Sequence, residues 1–114
     1  MPINGFAFGK MEIDGTVYRS DLCVHPDGRV VDGWWRRSGH GLCAADIADL
    51  IAQCPETILI GTGIYGRLKP DPDLAADLAA RGIDLVSAPN AEAVALFNRL
   101  WGRCRLAAGF HLTC

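Results

Sequence analysis

The chain has 114 residues, a formal net charge of -2 and 50% hydrophobic residues, which fit one folded domain and exclude a disordered chain. Acidic and basic residues are interspersed, so no basic tract predicts nucleic-acid binding. No apolar run approaches the roughly 18 residues that a membrane-spanning helix needs, and the first residues lack the positive charge of a secretory signal. We therefore expect a soluble cytoplasmic protein that forms a single domain over residues 1–114.

The first third of the chain has the pattern of antiparallel strands. Residues 6–13 alternate roughly between apolar and polar side chains, and Asp14-Gly15 is a strong signal for a two-residue hairpin turn. Short apolar runs follow at Leu22–Val24 and Arg29–Val31, with a second turn at Pro26-Asp27-Gly28 between them. These signals predict an N-terminal antiparallel β-meander.

The remainder of the chain alternates between helix and strand patterns. Apolar spacing predicts helices that begin near Ala44, after the capping signal Asp71-Pro72-Asp73, and after Asn90 as an N-cap. The intervening short apolar runs predict buried strands at Thr57–Ile60, Ile83–Val86 and Leu106–His111. This alternation predicts βαβ units, a largely parallel sheet with helices on both faces, and a meander that makes the whole sheet mixed.

The most informative segment is an apolar run that stops at a glycine loop. Gly61, Gly63 and Gly66 have the spacing Gly-x-Gly-x-x-Gly. In a dinucleotide-binding loop the last glycine opens a helix whose N-terminus faces the pyrophosphate. Here Pro70 disfavours helical geometry in the residue before it, so the next helix begins no earlier than about Asp71. Nucleotide binding is therefore not expected.

Two interpretations of the glycine loop remain open. In the first, the glycines shape a tight crossover from strand to helix and Arg67 is solvated. In the second, the loop amides hold a small anion or polar ligand beside Arg67, because pockets in parallel sheets lie at the carboxyl ends of the strands. His111, near the end of the chain, is the other candidate for such a cleft, although a single histidine is more often a hydrogen-bonded structural residue.

Five cysteines occur, and no two of them form a Cys-x-x-Cys pair. A disulfide framework usually has an even count, and structural metal sites usually draw ligands from close pairs. We therefore expect reduced thiols, no metal site and no cofactor. His111 and Cys114 are only an isolated pair of ligand types, and a nucleophilic Cys114 would need His111 to stabilise its thiolate.

The segment Trp34-Trp35-Arg36-Arg37 is unusual for a surface strand. Consecutive side chains of a strand point to opposite faces, so one tryptophan packs in the core while the other is partly exposed. An exposed Trp35 beside Arg36 predicts a contact site for a protein partner. The alternative is that the domain's own helix covers the second tryptophan and the arginines extend into solvent.

Several segments together match one known family over nearly the whole chain. They are Gly5-Phe6, Ile13-Asp14-Gly15, Trp34-Trp35-Arg36, Ile60-Gly61-Thr62-Gly63 through Leu68, Gly82-Ile83-Asp84, Phe97-Asn98 and His111-Leu112-Thr113-Cys114. On these residues the chain resembles a family of small bacterial and archaeal domains of poorly defined function. Its relatives include the mitochondrial complex I assembly factor three and the vertebrate adipogenesis-associated protein.

The resemblance implies an α/β fold, a three-layer domain with a central mixed sheet flanked by helices and an added N-terminal β-hairpin. It implies no established enzyme activity and, at best, a binding or assembly role. We expect a non-catalytic module that contacts a protein partner through Trp35 and Arg36, with the Gly61–Arg67 loop as a second surface. The alternative is a small-molecule or anion-binding protein, or an enzyme, with a cleft at the Gly61–Arg67 loop and His111. A third interpretation, a homodimer, rests only on the apolar composition.

Overall fold

The computed structural model describes residues 1–114. It contains ten strands, a 3-10 turn at Ala44–Ile47 and three α-helices. The strands are β1 (Ile3–Ala7), β2 (Lys10–Ile13), β3 (Thr16–Tyr18), β4 (Leu22–Val24), β5 (Val30–Asp32), β6 (Gly41–Leu42), β7 (Thr57–Gly61), β8 (Lys69–Pro70), β9 (Asp84–Ala88) and β10 (Leu106–Phe110). The helices are α1 (Ala48–Ile51), α2 (Leu74–Ala79) and α3 (Asn90–Leu100).

The central sheet has five strands in the order β5-β4-β10-β7-β9. Strand β7 pairs in parallel with both β10 and β9, as expected for strands joined through helices. Strand β4 is antiparallel to both of its neighbours, β10 and β5. The sheet is therefore mixed, with a parallel half and an antiparallel half.

The N-terminal meander forms a sheet of its own, β1-β2-β3, and does not extend the central sheet. Asp14 and Gly15 both have positive φ, 51° and 84°, as a type I′ hairpin turn between β2 and β3 requires. Of the predicted meander, only β4 and β5 join the central sheet and make it mixed, and β1–β3 form a separate sheet. All three residues of β4 are buried, so this strand needs cover on both faces, whereas β1–β3 bury one face.

Alternation along β7 divides the interior into two cores. Leu59 belongs to the core under α3 and the β1–β3 sheet. Ile58 and Ile60 belong to the opposite core, under α1 and α2. The central sheet therefore lies between two covering layers, and the expectation of a three-layer α/β domain with a central mixed sheet is confirmed.

The first two helices are shorter than the sequence indicated. The predicted first helix is a 3-10 turn followed by a single α-helical turn. Helix α2 starts at Leu74, three residues after Asp71. Pro89 occupies the N-cap position of α3, so the prediction of Asn90 as the cap was wrong. The side chain of Asn90 is instead buried and bonded to another part of the chain, as described below.

The glycine loop leads into a strand before any helix. Lys69 and Pro70 form β8, which pairs in parallel with β6, and α2 begins only at Leu74. The expectation that the last glycine does not open a helix is confirmed. No helix N-terminus lies at Gly66, so the loop lacks the feature that holds a pyrophosphate in a dinucleotide-binding fold.

Candidate functional site

Three strand ends meet at one edge of the central sheet. Asp21 immediately precedes β4, His111 immediately follows β10, and Arg36 lies four residues after β5. Because β4 is antiparallel to both β10 and β5, its start lies beside their ends. The end of β7, where the glycine loop begins, shares this edge because β7 is parallel to β10.

The carboxylate of Asp21 is the centre of a cluster of three charged or titratable side chains. Its Oδ2 accepts hydrogen bonds from Arg36 Nη2 and from His111 Nδ1, each at 2.8 Å. Its Oδ1 accepts the backbone N–H of Leu112 at 2.7 Å. We call Asp21, Arg36 and His111 the Asp21 cluster.

The Asp21 cluster fixes both the ionisation of the carboxyl and the tautomer of the imidazole. Burial alone raises the pKa of Asp21, but hydrogen bonds from His111, the Leu112 N–H and Arg36 outweigh it, so the pKa lies below its ordinary value. Asp21 Oδ2, which only accepts, lies nearer to His111 Nδ1 (2.8 Å) than the donor Arg36 Nη2 does (3.1 Å), so we assign the Nδ1 proton to the bond with Asp21. His111 Nε2 is then an acceptor, 3.5 Å from Thr113 Oγ1.

Arg36 lies inside the protein and not on its surface. Its side chain is 5% exposed, and its guanidinium carbon lies 4.6 Å from the ring centroid of Trp34. Nη2 also approaches the carbonyl oxygen of Gly39 at 3.3 Å. The sequence placed Arg36 among the surface contact candidates. The structure instead makes it the partner of the half-buried carboxylate of Asp21.

The glycine loop approaches the C-terminal residues of its own chain. Gly63 has φ of 103°, and a Cβ there would lie 2.6 Å from the carbonyl carbon of Cys114. The N–H groups of Ile64 and Arg67 donate to the carbonyl oxygens of Thr113 and Cys114, at 2.7 and 3.0 Å. The glycines thus permit close packing between two backbone segments.

Asn90 connects the glycine loop to the residue that ends β10. Its Oδ1 accepts the N–H of Gly63 at 3.1 Å, and its Nδ2 donates to the carbonyl oxygen of His111 at 2.8 Å. Gly61 passes so close to Asn90 Oδ1 that a Cβ there would lie 2.6 Å from it. The amide of Asn90 therefore satisfies two backbone groups that the sheet leaves unpaired.

Arg67 and His111 do not converge on one cavity. The side chain of Arg67 is exposed, whereas His111 is 6% exposed and bonded within the Asp21 cluster. None of the cavities of the molecule is lined by either residue. No set of three or more histidine, cysteine, aspartate or glutamate side chains is grouped to hold a metal ion.

The two adjacent tryptophans differ in burial, as the sequence predicted, although they follow the end of β5 and do not lie on a strand as expected. Trp34 is half-buried, its Nε1 donates to the carbonyl oxygen of Asp46 at 2.8 Å, and its ring packs on Gly109. Trp35 is 75% exposed. It stands at a groove of about 280 Å³ between β5 and α1, which we call the Trp35 groove.

Comparison with known proteins assigns the family. A model of the family described as "Protein of unknown function (DUF498/DUF598)" matches residues 3–111. The chain belongs to this family. The expectation of a small domain family of poorly defined function is confirmed at this level.

Solved structures similar to this DUF498/DUF598 chain cover almost all of it. A conserved hypothetical protein from Pyrococcus horikoshii is 29% identical, with a TM-score of 0.84 and 100% of each chain covered. An outer membrane protein from Bartonella henselae is 22% identical, with a TM-score of 0.80 and 99% and 95% of the two chains covered. An Mth938-like domain from Bordetella pertussis is 19% identical, with a TM-score of 0.68 and 97% and 85% covered. The last two likenesses concern the fold alone.

In this DUF498/DUF598 chain none of the three α-helices has the length and apolar character needed to cross a bilayer. The longest, α3, has 11 residues. At the usual rise per residue that helix spans roughly half of the hydrocarbon thickness.

Sequence reasoning missed Asp21 and Asn90. Asp21 is a single acid directly before the fully buried run Leu22–Val24, and this position is the one local feature that could have singled it out. Its pairing with His111 depends on which strands are neighbours, which the local sequence does not contain. Asn90 was noticed but was assigned the local role of a helix cap.

Proposed function

We propose that this DUF498/DUF598 domain is a non-catalytic binding or assembly-type module that contacts a protein partner through Trp35. The single observation that carries the proposal is the 75% exposure of the Trp35 side chain beside a groove. Tryptophan is among the residues most enriched at the energetic centres of protein interfaces. Burial of an indole removes roughly 150–250 Å² from water, which corresponds to about 4–6 kcal/mol at 25 cal/mol per Å² before the entropic cost of association.

The backbone on either side of Trp35 is held in place, which supports a preformed contact residue. Trp34 is fixed by its bond to Asp46, and Arg36 by its ion pair with Asp21. The N–H of Arg37 donates to Asp46 Oδ1 at 3.1 Å. A side chain on such a segment loses little freedom on binding, and preorganisation of this kind raises affinity. Arg36 therefore positions Trp35, and the exposed Arg37 is the basic neighbour that a partner can reach.

The assembly part of the proposal comes from the resemblance to the mitochondrial complex I assembly factor three and the adipogenesis-associated protein. A shared fold does not transfer a partner, so the partner has to be sought for this chain itself. The proposed compartment is the cytoplasm. All five cysteines are free, which fits a reducing compartment.

A small-anion site at the Gly61–Arg67 loop has less support. Such a site would need unpaired N–H groups that converge on one point. The N–H groups of Gly63, Ile64 and Arg67 already donate to groups of the same chain. The exposed guanidinium of Arg67 alone does not form a pocket.

Affinity capture from the native cell extract tests the proposal with two matched variants. Trp35→Ala removes the proposed contact. Tyr65→Ala removes a similarly exposed aromatic side chain, 70% accessible, from the glycine loop. Both variants are first checked for native-like circular dichroism and thermal unfolding. We expect Trp35→Ala to lose a partner that the wild type and Tyr65→Ala both retain. Recovery of the same proteins by all three would contradict a role for Trp35.

A further inference from the structure

The Trp35 groove has a lining of both apolar and polar residues and opens beside an exposed ring. Cys23 and His25 of the β4 region line it together with Val31 of β5 and Leu50 of α1. Trp35 stands at the same opening. A volume of about 280 Å³ accommodates one or two side chains of an extended peptide.

All the formal charges of side chains that line the Trp35 groove are negative. Asp32, Asp46 and Asp49 line it, and no lysine or arginine does. The ion pairs of the chain join Asp21 to Arg36 and His111, so Asp32 and Asp49 have no cationic partner. The groove therefore complements a positively charged occupant.

A second and independent feature of the groove is an unused donor on a buried histidine. His25 is 4% exposed. Its Nδ1 contacts Gln53 Nε2 and lies 3.3 Å from Arg29 Nη2. Both neighbours, as placed, present donors to Nδ1, so we assign Nδ1 as the acceptor and the proton to Nε2. Nε2 has no hydrogen-bond partner within the chain and is not sealed from solvent.

We propose that the Trp35 groove binds a basic segment of a protein partner, an extended stretch in which an apolar residue is followed by arginine or lysine. The apolar side chain contacts Val31 and Leu50, and the cationic side chain lies between the ring of Trp35 and the carboxylates of Asp32 and Asp49. A backbone carbonyl of the segment accepts the Nε2 proton of His25. This inference rests on the proposed function, because it names the chemistry of the partner at the same surface.

The chemistry at the opening favours a cation over an anion or a purely apolar group. A cation over the face of an indole is attracted by the ring quadrupole, and nearby carboxylates add to this attraction. An acidic segment would meet three like charges and no lysine or arginine. A purely apolar segment would gain nothing from the carboxylates of Asp32 and Asp49.

Titration with short peptides, followed by NMR on the full chain, tests the inference. The probes are acetyl-Ala-Leu-Arg-Ala-amide and two matched peptides in which Gln or Glu replaces Arg. We expect the Arg peptide to shift resonances of the groove residues and the His25 Nε2 proton, and to bind about tenfold more tightly than the Glu peptide. The affinity should fall as ionic strength rises.

Variants that neutralise carboxylates distinguish binding in the groove from attraction by the net charge of the protein. Asp32→Asn with Asp49→Asn should weaken the Arg peptide about fivefold. Asp84→Asn with Glu92→Gln changes the net charge by the same amount at exposed positions that do not line the groove. This control pair should change the affinity less than about twofold.

The alternative occupants give distinct results. Equal affinities for the three peptides would indicate an apolar occupant and overturn the inference. Concentration-dependent shifts of groove residues without peptide would indicate a second copy of this chain and also overturn it. If about 5 mM Arg peptide shifts no resonance of the groove residues, the affinity is too weak for recognition and the inference is overturned.

The peptide titration and the capture experiment fail independently. Loss of the partner in Trp35→Ala together with equal peptide affinities overturns the basic-segment inference and leaves the proposed function standing. Charge-selective peptide binding with partner capture unaffected by Trp35→Ala supports the basic-segment groove. In that second pattern Trp35 does not contact the cellular partner, so the proposed function is wrong.

Discussion

Asp21 and His111 are 90 positions apart in the sequence, and Asp21 Oδ2 lies 2.8 Å from His111 Nδ1. This bond joins the residue before β4 to the residue after β10, two antiparallel neighbours in the central sheet. With the bond from the Leu112 N–H to Asp21 Oδ1, it fixes the last residues of the chain against the sheet. The same C-terminal residues then accept hydrogen bonds from the glycine loop. The sequence predicted a candidate ligand site at this edge of the sheet. The hydrogen-bonding groups there are thus largely paired with other groups of the same chain.

Asp21→Asn should lower the free energy of unfolding at pH 7 by about 2–3 kcal/mol, because the buried guanidinium of Arg36 loses its anionic partner. The pKa of Asp21 is lower in the folded than in the unfolded state, so ionised Asp21 stabilises the fold at neutral pH. As the pH falls below about 4, the unfolded state takes up the proton first and this stabilisation is lost.

Urea denaturation between about pH 7 and 3 measures this prediction. The wild type should lose stability on acidification more steeply than Asp21→Asn. Asp77→Asn, which neutralises an exposed carboxylate on α2, is the control and should follow the wild type. Parallel profiles for wild type and Asp21→Asn would contradict a stabilising role for the ionised carboxylate.

Gly63→Ala should destabilise the protein more than Gly82→Ala. Both glycines have positive φ, so alanine is strained at either position, by about 1–2 kcal/mol. Only at Gly63 would the added methyl overlap other atoms, the backbone of Cys114 and the ring of His111. We therefore expect about 1 kcal/mol for Gly82→Ala and at least about 3 kcal/mol for Gly63→Ala from chemical denaturation. Equal losses would mean that the close approach of the C-terminus does not constrain Gly63.

Asn90→Ala should cost about 2–3 kcal/mol and loosen the glycine loop, because it leaves two buried backbone groups unpaired. Asn98→Ala is a matched control that also removes two side-chain bonds, those to the N–H and carbonyl of Ile3. Asn98 is exposed and its bonds to Ile3 are only part-buried, so water partly replaces them and the cost should be smaller, about 1–2 kcal/mol. Hydrogen exchange at the Gly63 amide should accelerate in Asn90→Ala and not in Asn98→Ala. Unchanged exchange in both variants would contradict the assigned role.

The five thiols should differ in their rates of alkylation in the native state. Burial raises the pKa of Cys23 to about 12, so at pH 8 its reactive thiolate is scarce and also inaccessible. Cys54 is exposed and should react first with iodoacetamide. Mass spectrometry of a time course gives the order of modification. Early labelling of Cys23 under conditions that keep the protein folded would contradict the packing around β4.

Local sequence patterns predicted the elements whose signals are contained within a few residues. The apolar run before Gly61 is β7, and Asp14-Gly15 is the hairpin turn. Both were predictable because burial and positive φ restrict which residue types occur at those positions. Strands β6 (Gly41–Leu42) and β8 (Lys69–Pro70) pair with each other, and the local sequence contains no signal of this pairing. A two-residue strand has too few side chains to show an alternation.

The same limit explains the errors at the candidate site. Arg36 and Arg37 are identical as isolated residues, yet the first is buried against Asp21 and the second is exposed. Which of them turns inward depends on the register of β4 and β5, a non-local property. The different burial of Trp34 and Trp35 matched the expectation for neighbouring strand residues, although both lie after the end of β5 at Asp32.

The most direct measurement of the central claim is photo-crosslinking in living cells of the native host, with a benzophenone amino acid in place of Trp35 or, separately, of Tyr65. Both positions are highly exposed, at 75% and 70%, so the two probes sample solvent to a similar extent. If the Trp35 surface binds a partner, position 35 gives a discrete crosslinked protein that position 65 does not. No adduct at position 35, or the same adducts at both positions, would contradict the proposed contact.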